Sequence, residues 1–419
     1  MDRAGLVEMN SNPYPENDDM TIESSIYRTA EWVLPGHPDK LCDVIADAIV
    51  MGAYELDPYS LVGIEVACHR SFVAITGRVS GDGTSQIPWE EIVRDVYRSA
   101  GYGRAFGPDP DSLRIELDID ADPLVTGEAA FRSISDDQSI VIGFWCSHVG
   151  TNGLPVEQAL VRRLALGLHG LARPKGPIGP DGKVIVSLQE KSDGRYVAQR
   201  IIASIIHRRD WNAIDEVRAI RRTLLEELQH FAAEVPCFDA SVEPEMLVNP
   251  VGDFVCGGPL GDNGLSGKKL VVDFYGPRVP IGGGAMSGKD FWKVDRAGPL
   301  IAREVARDAA LRCGLQECTA TLSIAPGDRA FRIERIADER GVTIDPRRVA
   351  NRIDLTLNRF ANWPRGRDLL QVARWGIWEE FRPWDVADVS HAGRRRMNSV
   401  SRSFSVAPLL AKHCTRPPN

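Results

Sequence analysis

Residues 249–295 read NPVGDFVCGGPLGDNGLSGKKLVVDFYGPRVPIGGGAMSGKDFWKVD. Glycines crowd around Lys268, Lys269, Lys289 and Lys293. A glycine lets backbone N–H groups close on an anion with no Cβ in the way, and lysines neutralise the charge that arrives. Dense glycine with lysine therefore predicts a cradle for a polyphosphate, which the distant Lys183 can join. The run Gly283 to Lys289 fits G-x-x-x-x-G-K, but Asp290 stands where a P-loop has Ser or Thr for magnesium, and no helical periodicity follows at once. The segment is not read as a P-loop. Taken alone, it reads equally well as a glycine-rich surface loop with solvated lysines.

Outward from this segment, helical and strand signals alternate. Leu41, Val44, Ile45, Ala48 and Ile49 fall on one face and predict a helix starting just after Asp39. Ile214, Val217, Leu224, Leu225, Leu228 and Phe231 predict a longer amphipathic helix over 211–233. Strands are predicted at 61–66, 71–77, 139–144, 183–189, 270–275 and 319–324, mostly rich in β-branched residues and bounded by Gly, Pro or Asp. The class is α+β with several mixed sheets. Residues 1–24 read as a disordered leader, and 391–419 as a flexible basic tail whose RRR run is solvated.

The net charge of −8 excludes a nucleic-acid binder that relies on a broad basic surface, but leaves room for a local basic pocket. No apolar run reaches a membrane span, and the acidic first residues do not form a secretory signal. The eight cysteines form no CxxC pair and no zinc spacing, so they are expected as free thiols in a reducing cytosol. A cytoplasmic enzyme with no membrane partner is the expectation.

Four motifs, in order, carry a family resemblance. GHPDK (36–40), NPVGDFVCGGP, GDNGLSGKKLVVDFYG and GGGAMSGKD with the following KVDR resemble the signatures of the S-adenosylmethionine synthetases, over roughly residues 28–385. The resemblance implies three similar α+β domains with pseudo-threefold symmetry, at 25–125, 134–255 and 256–390. It implies transfer of the adenosyl group of ATP to methionine sulfur, with release and hydrolysis of tripolyphosphate. It further implies a homodimer or dimer of dimers whose active sites draw residues from two subunits, with Mg2+ and also K+ as cofactors.

By the same resemblance His37 donates to the leaving oxygen. Lys183, Lys268, Lys269 and Lys289 line the tripolyphosphate, with Lys183 and Lys289 counted as catalytic beside His37. Asp39 and Asp295 bind magnesium, Glu65 matches the potassium carboxylate, and Glu31 and Asp181 match active-site acids, Glu31 being placed with the metal ligands. Asp137 lies near the nucleoside and amino-acid pocket, Phe254 stacks on adenine, and Asp262 and Lys293 stand at the amino-acid end. Lys268 replaces an arginine, so a bidentate phosphate contact becomes a point charge.

Three departures from the family pattern stand out. Arg78 stands where the family has the glutamate that holds the ammonium of methionine, which reverses the sign of the contact. The gating loop is replaced by the acidic LDIDADPLVTGEAAF (117–131), whose Asp118, Asp120 or Asp122 can neutralise Arg78. Pro35 replaces the acid before GHPDK, and RWGIWEE replaces a C-terminal motif, leaving only FRPWD to resemble it. Three readings stay open: a methionine enzyme, an enzyme that attacks C5′ of ATP with another nucleophile that Arg78 recognises, and a non-catalytic ATP-binding regulatory subunit.

Overall fold

The computed structural model describes residues 26–172, 176–348, 353–361 and 368–376. The expected leader and tail, the FRPWD stretch and Cys414 lie outside them. In chain order the first half runs β1 (Ile26–Val33), α1 (Pro38–Leu56), β2 (Leu61–His69), β3 (Phe72–Ser80), α2 (Trp89–Ala100), β4 (Arg114–Asp120), β5 (Ser139–Cys146), α3 (Val156–His169), β6 (Ile178–Glu190) and β7 (Tyr196–His207). The second half runs α4 (Ala213–Glu234), β8 (Phe238–Asp239), β9 (Glu245–Val248), β10 (Asn263–Leu265), α5 (Leu270–Asp273), α6 (Val294–Cys313), β11 (Glu317–Ile324), β12 (Arg332–Asp338) and α7 (Leu369–Trp375).

These strands form three sheets that exchange members. The first has the order β1-β6-β7-β8, with β9 also on β7. The second is β10-β2-β3-β4 and the third β12-β11-β5. In each, a strand distant in sequence closes an edge: β1 against β6, β10 against β2, and β5 against β11, all antiparallel. Helices cover one face of each sheet: α1 lies on β2, α3 on β1 and β6, and α6 on β5 and β11. Alternating apolar residues of the strands and the apolar stripes of these helices make two cores. One joins α1, α2 and α6 with the second and third sheets, and the other is built on α3, α4 and the first sheet. Among the described residues no helix is long and apolar enough to cross a membrane. The seven described cysteines are free.

Both expected helices form, as α1 and α4, and five of the six expected strands form. The exception is Leu270–Tyr275. It coils into the single turn α5, with the N–H groups of Asp273 and Phe274 bonded to the carbonyls of Lys269 and Leu270 at 2.9 and 3.0 Å. A short apolar run does not distinguish strand from helix by periodicity. Here the turn brings the Asp273 carboxylate to the buried Lys40, 2.6 Å away, an arrangement that depends on a partner over 200 residues upstream.

Candidate active site

The site is organised by α1. His37 caps the helix, its Nδ1 accepting the Asp39 N–H at 3.2 Å, and Pro38 takes the first turn, where no donor is needed. Asp39, Asp43 and Asp47 then recur every four residues on one buried face. Buried carboxylates need donors, and the glycine-rich segment supplies them. Asp39 accepts the Leu265 N–H at 2.9 Å, Asp43 the Gly267 N–H at 2.8 Å, and Asp47 the Gly288 N–H at 3.0 Å. Asp47 also pairs with the fully buried Arg296, whose Nε reaches the Lys289 carbonyl at 3.0 Å. The buried Lys40 bridges Asp43 and Asp273, at 3.2 and 2.6 Å. The role of this acid row was missed in the sequence, although its spacing of four within a helical stretch was visible there.

The segment folds so closely over α1 that side chains are excluded at particular points. A Cβ on Gly264 would lie 2.3 Å from the Pro38 carbonyl oxygen, and one on Gly284 would lie 1.9 Å from the Asp295 carboxyl carbon.

Two charged clusters result. The first surrounds the start of α1. Lys269 Nζ lies 2.5 Å from Asp39 Oδ2, and Lys268 Nζ 3.9 Å from Asp39 Oδ1. Lys183 pairs with Glu31 at 3.2 Å across the β1–β6 edge. Burial, reinforced by Lys269 and opposed by Asp39, brings the His37 pKa down to about 4, so the ring is neutral at pH 7. With Nδ1 occupied as an acceptor, the proton sits on Nε2. Burial raises Asp181 to about 6, against the pull of the Gly258 N–H it accepts at 2.6 Å. Asp262 and Lys183 are close enough for their charges to act on both His37 and Asp181. Phe254 is fixed through its backbone, its N–H donating to His207 Nε2 at 2.9 Å, while the His207 ring stacks on Trp211 with centroids 3.6 Å apart.

The second cluster stands further along β2. Lys289 bridges Gly63 of β2 and pairs with Asp295 at 2.7 Å; Asp295 also accepts the Ser139 hydroxyl at 2.8 Å. Lys293 pairs with Asp136, next to the exposed Asp137. Arg78, opposite Gly63 in the β2–β3 ladder, pairs with Glu128 at 3.1 Å. The acidic loop does neutralise Arg78, but through Glu128 and not through Asp118, Asp120 or Asp122. Asp118 and Asp120 belong to β4, whose parallel register fixes them opposite Thr76 and Arg78, while Glu128 comes from a separate turn that reaches the guanidinium.

On β2, Gly63 at the second cluster and Ala67 opposite Leu265 at the first are four residues apart, or about 13 Å. The exposed Glu65 stands between them, accepting from the Ser266 hydroxyl. Among the described residues no three His, Cys, Asp or Glu side chains converge as a closed metal cage.

Comparison with known proteins agrees with this geometry. Residues 25–122 match the model of the S-adenosylmethionine synthetase N-terminal domain, and 256–337 that of its C-terminal domain. An S-adenosylmethionine synthase of Gloeobacter violaceus is 32% identical over 390 residues, covering 83% of this chain and 91% of the relative. One from Prochlorococcus marinus (strain MIT 9303) is 34% identical over 320 residues, covering 71% and 75%. The solved structure of an unusual S-adenosylmethionine synthetase from Campylobacter jejuni superimposes with a TM-score of 0.73 at 25% identity, over 86% of this chain and 97% of that one.

Proposed function

This chain belongs to the S-adenosylmethionine synthetase family, and from that membership we propose that it is an ATP-dependent adenosyltransferase that joins C5′ of ATP to the sulfur of methionine and hydrolyses the tripolyphosphate released. The observation that carries the reading is the pair of lysine–carboxylate contacts, Lys269–Asp39 and Lys289–Asp295, standing on either side of Glu65. A leaving group of about four negative charges needs fixed cations as the C5′–O bond breaks, most of all where water is excluded. Lys183, Lys268, Lys269 and Lys289 supply them. A thioether sulfur needs no deprotonation, so no general base is required. His37 donates through Nε2 to the departing oxygen, as a neutral imidazole held in that tautomer by the Asp39 N–H.

Asp39 and Asp295 present hard carboxylate oxygens beside the phosphate lysines. This fits magnesium, which takes one or two carboxylates and draws its other ligands from water and substrate phosphates. Bound there, magnesium supplies neutralisation of the phosphate oxygens. Asp39 and Asp295 would hold the metal, and Lys269 and Lys289, paired with them here, would be left to neutralise phosphate. Glu65 is the potassium carboxylate in this reading, Glu31 and Asp181 complete the acids of the first cluster, and Phe254 stacks on adenine. Asp137 and Lys293 belong to the amino-acid end, whereas Asp262, expected beside them, stands at the first cluster near His37 and Asp181. The three-domain division at 25–125, 134–255 and 256–390 and a homodimer with shared active sites belong to the same proposal.

The reading with a different nucleophile draws on Arg78. An unpaired arginine about 4 Å from a substrate ammonium costs roughly 4 kcal/mol at an effective dielectric of 20. The Glu128 pairing removes that objection and favours methionine. The test is formation of S-adenosylmethionine with phosphate and diphosphate from ATP and methionine, alongside calorimetry of ATP binding. Lys289→Ala is expected to weaken ATP binding at least tenfold and to abolish turnover. An unchanged dissociation constant removes Lys289 from the phosphate site.

A further inference from the structure

We propose that Glu128 receives the α-ammonium of the amino-acid substrate and that Arg78 is its positioning residue; the assignment rests on the adenosyltransferase reading above. A free amino acid at neutral pH is a zwitterion, so a site for it needs a cation for one end and an acid for the other. The second cluster offers such a set. Beside Lys289 and Asp295 stand two further ion pairs, Lys293–Asp136 and Arg78–Glu128. The Val125 N–H and Arg78 hold the Glu128 carboxyl below its ordinary pKa, and the Lys293 charge adds to them.

Glu128 is held on one oxygen and open on the other. Its Oε2 accepts both Arg78, at 3.1 Å, and the Val125 N–H, at 2.7 Å. Its Oε1 has no hydrogen-bond partner among the described residues, and the side chain is 19% exposed. A carboxylate fixed by a guanidinium and a backbone N–H, with its second oxygen free, is a preorganised acceptor for an ammonium. The turn that carries it, Glu128–Arg132, is pinned at its far end too. Arg132 Nε donates to the Tyr59 carbonyl at 2.9 Å, and its guanidinium lies 5.2 Å from the Tyr59 ring centroid and 5.9 Å from that of Trp292. Trp292 directly precedes Lys293, so the turn that carries the acid is tied to the segment that carries the cation. Lys293 takes the substrate carboxylate, and Arg78, whose position on β3 cannot itself serve an ammonium, anchors the group that does.

The test is steady-state kinetics on the full chain with methionine and ATP varied in turn, and with 4-(methylthio)butanoate, methionine without its amino group, as a competing ligand. Glu128→Gln is expected to raise the methionine KM about 30-fold, leaving the ATP KM and inhibition by the amino-free acid unchanged. Arg78→Met is expected to raise the methionine KM about fivefold with the same indifference of the amino-free acid, as a loosened anchor requires. The assignment is overturned if Glu128→Gln leaves the methionine KM unchanged, or if methionine and its amino-free analogue lose affinity equally. A wild type with no methionine-dependent turnover overturns the adenosyltransferase reading and this assignment together. A methionine-active wild type with an indifferent Glu128→Gln overturns this assignment alone.

Discussion

Arg296→Met is expected to loosen the phosphate segment far more than its distance from solvent implies. Arg296 is wholly buried, donates to the Lys289 carbonyl and makes two bonds to Asp47, itself buried. Methionine fills much of the volume but leaves the Asp47 carboxylate with the Gly288 N–H as its remaining donor among the described residues. Removing one partner of a buried pair costs about 3–5 kcal/mol, because the other charge stays in a poor medium. The loss falls on the segment, so the Gly288 and Asp290 amides, bonded to Asp47 and to the Val62 carbonyl, should exchange with solvent two to three decades faster. Native-state hydrogen exchange followed by mass spectrometry reads this directly. The double variant Asp47→Asn/Arg296→Met keeps an acceptor for Gly288 and removes the stranded charge, so it should recover about 2 kcal/mol or more. If single and double variants exchange alike, or if the single variant costs under about 1 kcal/mol, the clamp does not hold the segment.

Two further outcomes follow from the same region. Gly284→Ala places a methyl group on the Asp295 carboxylate; turnover should fall at least tenfold while circular dichroism stays unchanged, and full activity would show that the loop yields freely. Asp290, buried and accepting from the Val62 and Trp292 N–H groups, has its pKa raised to about 6 by burial. Between about pH 4 and 6 the native state keeps a proton that the unfolded chain has lost, so stability falls as pH rises through that window and is flat above it. The two-unit shift is worth about 3 kcal/mol. Urea unfolding of wild type and Asp290→Asn at both ends of the window should show the wild type losing that much more, and parallel curves would refute it.

What could be read without coordinates was mostly local. The glycine and lysine clustering of 249–295, the helix after Asp39 and the β-branched strands all express short-range preferences. What could not be read depended on partners far along the chain. Asp43 and Asp47 sit on a visible helical face, but their meaning comes from Gly267, Gly288 and Arg296, more than 200 positions downstream. Leu270–Tyr275 has strand composition and becomes a turn once Lys40 claims Asp273. The acidic stretch after Arg78 offers a counter-charge in sequence, at Asp118, Asp120 or Asp122, but the partner is Glu128 of the same stretch. Choosing among the acids required the turn Glu128–Arg132, which brings Glu128 to Arg78 although Asp120 is the residue across from Arg78 in the β3–β4 register.

The exchange of strands among the three sheets constrains how the chain is made on the ribosome. β2 emerges early, yet its edge is closed by β10, roughly 190 residues later, and β5 waits as long for β11. At about 5–20 residues per second the nascent protein carries open sheet edges for on the order of 10–40 s. The first two sheets are completed only once β9 and β10 have been made, and the third waits for β11 and β12. A premature stop or a stall before β11 therefore leaves β5 without its partner strand and the third sheet exposed to association with other chains.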